Sequence, residues 1–320
     1  MKSAVVLGGA GFLGSHLCDA LIATDYQVVA IDDLSSGNVQ NFQHLLGKSN
    51  FTFINQDICL PLKISHDVDL VFNFASPASP LYYLSNPITT LRTGSLGVEN
   101  AICLALNKGA RLIHASTSEV YGDPLSHPQC EDYWGNVNPV GERSCYDEAK
   151  RYAEALCIAY SNTKSLDVGI VRIFNTYGPR MDPSDGRVLS NLINQALINA
   201  DLTIYGDGFQ TRSFCFVNDL VRGILALSLV EFRGPINLGN SSEITIIELA
   251  KMIISRTKSS SRLVFKDLPS DDPKKRCPDI SLAKQVLNWS PSVNLEVGLD
   301  HLIAWYLDPV NLRQNQLRRG

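Results

Sequence analysis

Through the first half of the chain, short apolar or β-branched runs alternate with segments whose apolar residues recur at helical spacing. The runs "SAVVLGG", "QVVAIDD", "FTFINQD", "LVFNFAS", "RLIHAS" and "VGIVRIFN" predict strands. The segments "FLGSHLCDALIATD", "TGSLGVENAICLALNKG" and "YDEAKRYAEALCIAYSNTK" predict helices between them. Strands this uniformly apolar are buried on both faces, which implies a parallel sheet covered by helices. The fold class expected is α/β, a doubly wound parallel sheet of Rossmann type with a second, smaller lobe. That lobe is signalled after residue 174, where proline, glycine and arginine become frequent in "YGPRMDPSDGR", "YGDGFQTRSF" and "LPSDDPKKRCPD" and helices are expected to dominate. No internal repeat or low-complexity linker separates the two parts, so they are expected to pack as one unit.

Composition narrows the setting. The chain has 320 residues, 45% of them hydrophobic, and a formal net charge of −4. No apolar run approaches the roughly 20 residues of a membrane span. The N-terminus enters a strand-like run almost at once, so no signal peptide is expected. Eight cysteines are scattered without a CxxC pair or a Cys/His cluster at metal spacing. Reduced thiols, a cytoplasmic location and no metal site are therefore expected. The mildly acidic balance argues against nucleic acid as a partner, and the "LRRG" tail is expected to be a solvated end.

The first strand and helix enclose "VVLGGAGFLGSHLCDAL", which sets Gly8, Gly11 and Gly14 at the turn between them. Glycines there let backbone N–H groups approach a pyrophosphate, and the helix N-terminus adds partial positive charge. Asp32, ending the second strand, lies near the ~20-residue offset at which an acidic residue accepts from a ribose. A carboxylate there repels a 2′-phosphate, so NAD is expected over NADP. Asp33, Ser35, Ser36 and Gly37 follow where the ribose should lie, and Asp57 is placed to reach the adenine. Residues 1–174 and 214–238 are assigned to the NAD-binding domain, and 175–213 and 239–320 to the substrate lobe.

Two tyrosine–lysine pairs share one predicted helix, Tyr146 with Lys150 and Tyr160 with Lys164. The strand "RLIHAS" delivers Ser116, Thr117, Ser118 and Glu119 to the carboxyl edge of the sheet, where ligands bind in such folds. Tyr146 opens the following helix at that edge, with Lys150 one turn on along the same face. The second pair is fourteen residues further, roughly 20 Å away, and is expected to be structural. A tyrosine that takes an alcohol proton as hydride leaves must be partly phenolate, against an ordinary pKa of about 10. A nearby ammonium and a positive nicotinamide favour that anion. Ser116 or Thr117 is expected to hydrogen-bond the reacting oxygen.

The glycine loop, Thr117 and the Tyr146–Lys150 pair together resemble the extended short-chain dehydrogenase/reductase family. The stretches "NFASPASP", "STSEVYGDP", "YWGNVNPVGERSCYDEAKR", "RIFNTYGPRM", "DGRVLSN", "QTRSFCFVNDLV" and "DDPKKRCPDI" are similar to those of UDP-glucuronate decarboxylases, also called UDP-xylose synthases. The resemblance runs from residue 1 to beyond 300. It implies a redox-neutral lyase reaction with bound NAD, in which UDP-glucuronate is oxidised at C4, decarboxylated and reduced to UDP-xylose. It implies Tyr146, Lys150, Thr117, Glu119 and Arg276 as catalytic residues, the last two for decarboxylation. From spelling alone, Arg276 reads as a surface arginine. Further cofactor contacts are implied at Phe12, Leu13, Ile58, Phe74, Ser76, Thr93, Ser116 and Thr176. Nucleotide-sugar contacts are implied at Arg92, Asn175, Arg180, Arg187, Tyr205, Gln210 and Arg212, guanidinium being suited to diphosphate. Proteins of this kind are homodimers paired through helices flanking the sheet. The chain departs from the family at Cys277, where lysine is more usual.

Two other functions compete. A nucleotide-sugar 4-epimerase or 4,6-dehydratase shares the loop and the Tyr–Lys pair. The Glu119–Arg276 combination distinguishes a decarboxylase, and Ser118 after Thr117 argues against a dehydratase's Asp–Glu pair. A non-catalytic NAD-binding regulator would commonly lack the tyrosine or the lysine, and both are present.

Overall fold

The computed structural model describes residues 1–267 and 275–311. The "LRRG" tail and residues 271–274 of the "DDPKKRCPDI" stretch lie outside the described residues. The first part contains β1 (Ser3–Leu7), α1 (Phe12–Ala23), β2 (Gln27–Asp32), β3 (Phe51–Asn55), β4 (Leu70–Asn73), the short helices α2 (Pro80–Ser85) and α3 (Pro87–Arg92), α4 (Val98–Lys108), β5 (Arg111–Thr117), α5 (Ser144–Lys164) and β6 (Val168–Ile173). It continues through β7 (Thr176–Tyr177), α6 (Val188–Leu197), β8 (Leu202–Tyr205), β9 (Thr211–Ser213), β10 (Cys215–Phe216), α7 (Val217–Ser228) and β11 (Gly234–Leu238). The last elements are β12 (Glu243–Thr245), α8 (Ile246–Thr257), β13 (Leu263–Lys266), α9 (Ser281–Leu287) and α10 (Leu295–Leu307).

A seven-stranded sheet runs in the order β11-β6-β5-β4-β1-β2-β3, with every pairing parallel. All six strands expected from the hydrophobic pattern are in it. The seventh, β11, and the small pairs β7/β10, β9/β12 and β8/β13 were not anticipated. Most are two to four residues long, too short for a periodicity to show. Successive residues of β5 face opposite layers. Ile113 and Ala115 join the core under α1 and α7, and Leu112 joins the core under α4 and α5. The first of these cores continues without a break into Leu189, Leu192 and Ile193 of α6 and Leu249 of α8. Helices α6 and α8 are therefore packed into the core that also lies under the sheet.

The strand order reverses between β1 and β4, which opens a crevice beyond their carboxyl ends. The glycine loop leaves β1 at this switch point. Five residues of π-helical turn, Thr93–Gly97, join α3 to α4. Here α5 packs so closely that a Cβ on Gly94 would lie 2.6 Å from the Ala149 side chain. That packing brings the N-terminal end of α5 over the crevice. No helix among the described residues is long and apolar enough to cross a membrane.

Candidate active site

A cavity of about 930 Å³ runs from the glycine loop, past the end of β5 and the start of α5, into the second lobe. At its first end Gly8 has φ +80°, a conformation that favours glycine, and its N–H donates to Ile31 O at 2.8 Å. A Cβ on Gly14 would stand 2.0 Å from Gly8 O, so α1 could not begin this close to β1 with any other residue. The result is a backbone-lined cradle at the N-terminus of α1, whose walls include Gly8, Gly11, Phe12, Leu13 and Gly14. Such a surface suits a dinucleotide pyrophosphate.

Asp32 is buried, and both its oxygens are engaged. Oδ2 accepts from Ala10 N at 3.0 Å and Oδ1 from Leu34 N at 2.9 Å. Burial raises its pKa, and these two N–H donors oppose the rise. The carboxylate thus ties the end of β2 to the glycine loop, with lone pairs remaining for a ribose hydroxyl. Ser36, Phe74, Ser76 and Thr176 line the same cavity, whereas the buried Asp32 and the exposed Asp33 and Ser35 are not on its wall, nor is Gly37. Asp33 folds back on Ser35, accepting from its N–H and its hydroxyl at 2.9 and 2.6 Å. Asp57 accepts from Cys59 N at 2.8 Å, Ile58 is buried against Gly97, and the Thr93 hydroxyl donates to Thr89 O at 2.9 Å. None of these three reaches the cavity wall.

At the centre are Thr117, Tyr146 and Lys150, all buried and all on the wall. The Lys150 ammonium donates to Ala115 O at 2.8 Å and lies 5.8 Å from the centre of the Tyr146 ring. Burial pushes the Tyr146 phenol up to about 12, against the Thr117 hydroxyl, which favours the phenolate. Burial pulls Lys150 down to about 8, against Glu154. Desolvation therefore outweighs the help expected from the lysine, and a further positive charge over the ring is needed to favour the anion. Ser116 was a candidate for the reacting oxygen. Its hydroxyl instead donates to Glu154 at 2.5 Å, and Glu154 is clamped by Arg172 at 2.8 Å. The second tyrosine pair is elsewhere: Tyr160 is at the far end of α5, where its hydroxyl donates to Glu99 at 3.1 Å.

Beside Tyr146 lies an ion cluster. Arg276 Nη1 and Nη2 donate to the two oxygens of Glu119, each at 2.6 Å. Arg143 Nη2 reaches Glu119 Oε1 at 2.8 Å. Burial alone would raise the Glu119 pKa, but Arg276 and then Arg143 outweigh it and hold the carboxyl below its ordinary value. Arg276 is thus no surface arginine. Its segment is strapped down by Gln129, whose side chain accepts from Cys277 N at 2.9 Å and whose N–H donates to Cys277 O at 2.9 Å. Cys277 is buried in that strap, its thiol directed to Ser241 O at 3.5 Å and off the cavity wall. Glu119 is thus held between two guanidiniums.

The second lobe supplies Asn175, Arg180, Arg187, Tyr205, Gln210 and Arg212 to the wall. Arg180 also pairs with Asp19 of α1 at 2.6 Å, and Arg187 donates to Ala78 O at 2.9 Å. Arg212 donates to Thr211 O at 2.9 Å, and Gln210 donates to Tyr205 O at 2.6 Å. Arg92 does not join them. It ends α3 as an exposed side chain near Cys59, outside the cavity. Three residues at the site were not assigned from sequence. Arg143 is one turn before Tyr146 and Asp147 directly follows it, so position on α5 was a usable signal for both. Tyr83 of α2 stacks on the Tyr146 ring, with centroids 5.0 Å apart and planes 7° from parallel. Nothing in "LYYLSNP" announces that contact.

The profile of the NAD dependent epimerase/dehydratase family matches residues 4–239. The chain belongs to that family. UDP-glucuronic acid decarboxylase 1 of Danio rerio is 49% identical over 305 residues, covering 95% of this chain and 72% of the relative. UDP-glucuronic acid decarboxylase 1 of Arabidopsis thaliana is 49% identical over 300 residues, covering 94% of this chain and 68% of the relative. Among solved structures, the UDP-glucuronic acid 4-epimerase of Bacillus cereus, in complex with UDP-glucuronic acid and NAD, superposes with a TM-score of 0.84 at 30% identity. It covers 95% of this chain and 98% of its own. This family's NAD fits the cradle described here: without side chains at Gly8 and Gly14 the loop closes on Ala75 N and Gly8 O, which a Cβ would meet at 2.6 and 2.0 Å, and its backbone lines the cavity at the N-terminus of α1.

Proposed function

We propose that this family member converts UDP-glucuronate to UDP-xylose and carbon dioxide, with NAD regenerated in the site. The observation that carries this reading is the Arg276–Glu119–Arg143 cluster placed beside Thr117, Tyr146 and Lys150 in one cavity. Oxidation at a sugar C4 needs only the last three groups. Arg276 and Arg143 both line the cavity, and guanidinium suits a carboxylate such as the one the substrate carries at C6. The names of the decarboxylase relatives support the same choice over an epimerase or dehydratase.

The cradle of Gly8, Gly11 and Gly14, with Asp32 behind it, holds the cofactor. Bound NAD supplies the acceptor for the C4 hydride and returns it at the end. Thr117 holds the C4 oxygen and Tyr146 takes its proton, while Lys150 fixes the cofactor ribose and keeps positive charge near the phenol. Oxidation makes the C6 carboxylate β to a ketone. Arg276 and Arg143 orient that carboxylate so that the breaking C5–C6 bond overlaps the carbonyl π system, a positioning task. Glu119 keeps the arginines from binding it so tightly that the ground state is favoured. Asn175, Arg180, Arg187, Gln210 and Arg212 hold the diphosphate and sugar, and Tyr205 packs on the uracil. Residues 175–213 and 239–320 act as the nucleotide-sugar lobe. Two copies pair through the helices flanking the sheet, which the exposed Leu84, Ile88, Leu91 and Leu96 and the half-exposed Tyr152 of α5 support.

The test is incubation of the purified protein with UDP-glucuronate and NMR of the sugar product. UDP-xylose is expected, with no growth of reduced-nicotinamide absorbance in step with product. UDP-galacturonate as sole product would make the protein an epimerase.

A further inference from the structure

Strand β5 ends in three successive residues, and α5 holds each of them by a side chain. Lys150 donates to Ala115 O at 2.8 Å, the Ser116 hydroxyl donates to Glu154 Oε1 at 2.5 Å, and the Thr117 hydroxyl bonds the Tyr146 phenol. Tyr146, Lys150 and Glu154 are spaced four residues apart, so they follow one face of the helix. Two of the three contacts contain groups of the reaction proposed above. The Ser116–Glu154 contact contains none. The role inferred for it rests on the reading that Thr117 holds the sugar C4 oxygen and Tyr146 takes its proton.

Ser116 is on the cavity wall, but its hydroxyl is committed to Glu154, which is not on the wall. Glu154 also takes two bonds from Arg172 of β6, Nε to Oε1 at 3.0 Å and Nη2 to Oε2 at 2.8 Å. Ser116 and Arg172 are register partners on adjacent strands. One carboxylate of α5 therefore spans two strands near their carboxyl ends and ties both to the helix that carries Tyr146. The guanidinium is fixed in turn, since Arg172 Nη1 donates to the Tyr121 hydroxyl and to Glu131 O, each at 2.9 Å. Thr117 is the next residue of β5. A buried ion pair adds little net stability over apolar side chains of the same size. What charge-assisted bonds add is fixed direction.

We propose that Ser116 and Glu154 are positioning residues, which hold the end of β5 against α5 so that the Thr117 hydroxyl meets both the Tyr146 oxygen and the C4 oxygen of the sugar. Neither residue takes part in the chemistry. Thr117 and Tyr146 stand on different elements, so their separation depends on how β5 and α5 are held together. The Lys150 bond to Ala115 O fixes the strand two residues before Thr117, and the Ser116 bond to Glu154 fixes it one residue before. With the second bond gone, the last residue of β5 is free to shift. A displacement of about 1 Å at a reacting group costs up to ~10²-fold in rate.

The experiment is a double-mutant cycle. Ser116→Ala and Glu154→Gln are each made in wild type and in Thr117→Ala, and kcat, KM and Tm are measured with UDP-glucuronate, counting every sugar-nucleotide product. Ser116→Ala removes a hydroxyl and no charge. It should keep Tm and KM and lose about tenfold in kcat. Glu154→Gln also takes the carboxylate from Arg172, so it should lose at least as much in kcat and lower Tm. In the Thr117→Ala background neither change should cost more than about twofold further, because the hydroxyl they aim is gone, whereas independent sites would add. The proposal is overturned if Ser116→Ala keeps the wild-type kcat, or if its loss appears wholly in KM. It is also overturned if the loss is the same with and without the Thr117 hydroxyl, which would make the contact structural. A wild type that yields UDP-galacturonate overturns the decarboxylase reading while the cycle still decides the role of Ser116, since epimerisation also begins at C4. A wild type that turns over no UDP-glucuronate overturns both.

Discussion

The glycine-loop end of the cavity is made of backbone, and the ion-cluster end is made of side chains. The first is built from one continuous stretch, where Gly8 and Gly14 let β1 and α1 meet within a few residues. The second is assembled from Glu119, Arg143 and Arg276, which reach it from three separate segments. A backbone cradle recognises a cofactor by shape and by N–H groups that are always present. A cluster of two guanidiniums and a carboxylate recognises charge, and it exists only when the whole chain is folded. The difference teaches which end is general and which specific. In the function proposed above, the cradle needs only to hold NAD, whereas the cluster acts after a ketone has formed.

The largest effect belongs at the junction of the two ends. Tyr146→Phe removes the base and should lower kcat by ~10²–10⁴-fold or more, with the fold intact by circular dichroism. Tyr160→Phe loses only a surface bond to Glu99 and should leave kcat unchanged. Equal losses in both would refute the placement of the site at the start of α5.

The ion cluster is broken alone by Glu119→Gln or Arg276→Ala. Each should slow carbon dioxide release by ~10²-fold, the scale of a misplaced reacting group, and spare UDP affinity. In single turnovers, reduced nicotinamide should then accumulate before product. Glu119→Gln takes the carboxylate from the buried Arg276, a kind of loss that typically costs ~3–5 kcal/mol, whereas Arg276→Ala leaves Glu119 with Arg143, so Tm is read beside the rate. A loss expressed wholly as weaker UDP binding would make Arg276 a diphosphate clamp.

The smallest chemical change tests the cradle. Gly14→Ala sets a methyl group 2.0 Å from Gly8 O, so the loop must open. NAD retention after gel filtration should fall while UDP affinity is kept, and kcat should recover on adding NAD. Loss of UDP affinity in the same variant would mean that the two ends are not separable.

The six strands, the glycine turn, the place of Asp32 at the end of β2 and the placing of Tyr146 and Tyr160 at opposite ends of α5 were legible because each depends on residues close in the chain. Apolar runs report sheet burial, glycine spacing reports a turn, and four-residue spacing reports one helix face. Arg276 was legible only through resemblance, since its own neighbours spell a solvated loop. Arg92 lies outside the stretches that carry the resemblance, and its place at the end of α3 says nothing of which side of that helix it leaves. Nothing in the residues around Tyr83 signals its stacking on Tyr146.

By itself the sequence determined the parallel sheet, the glycine turn before α1 and the place of Tyr146 and Lys150 at the start of a helix, because local periodicity and backbone freedom are properties of short segments. The tertiary structure alone decided that Glu119 is held between two arginines and that Tyr83 lies flat on Tyr146. It alone left Asp147 with a buried, unpaired oxygen. Those facts depend on which distant side chains share a volume from which water is excluded. Desolvation and Coulomb interaction act across that shared volume, whatever the order of residues along the chain.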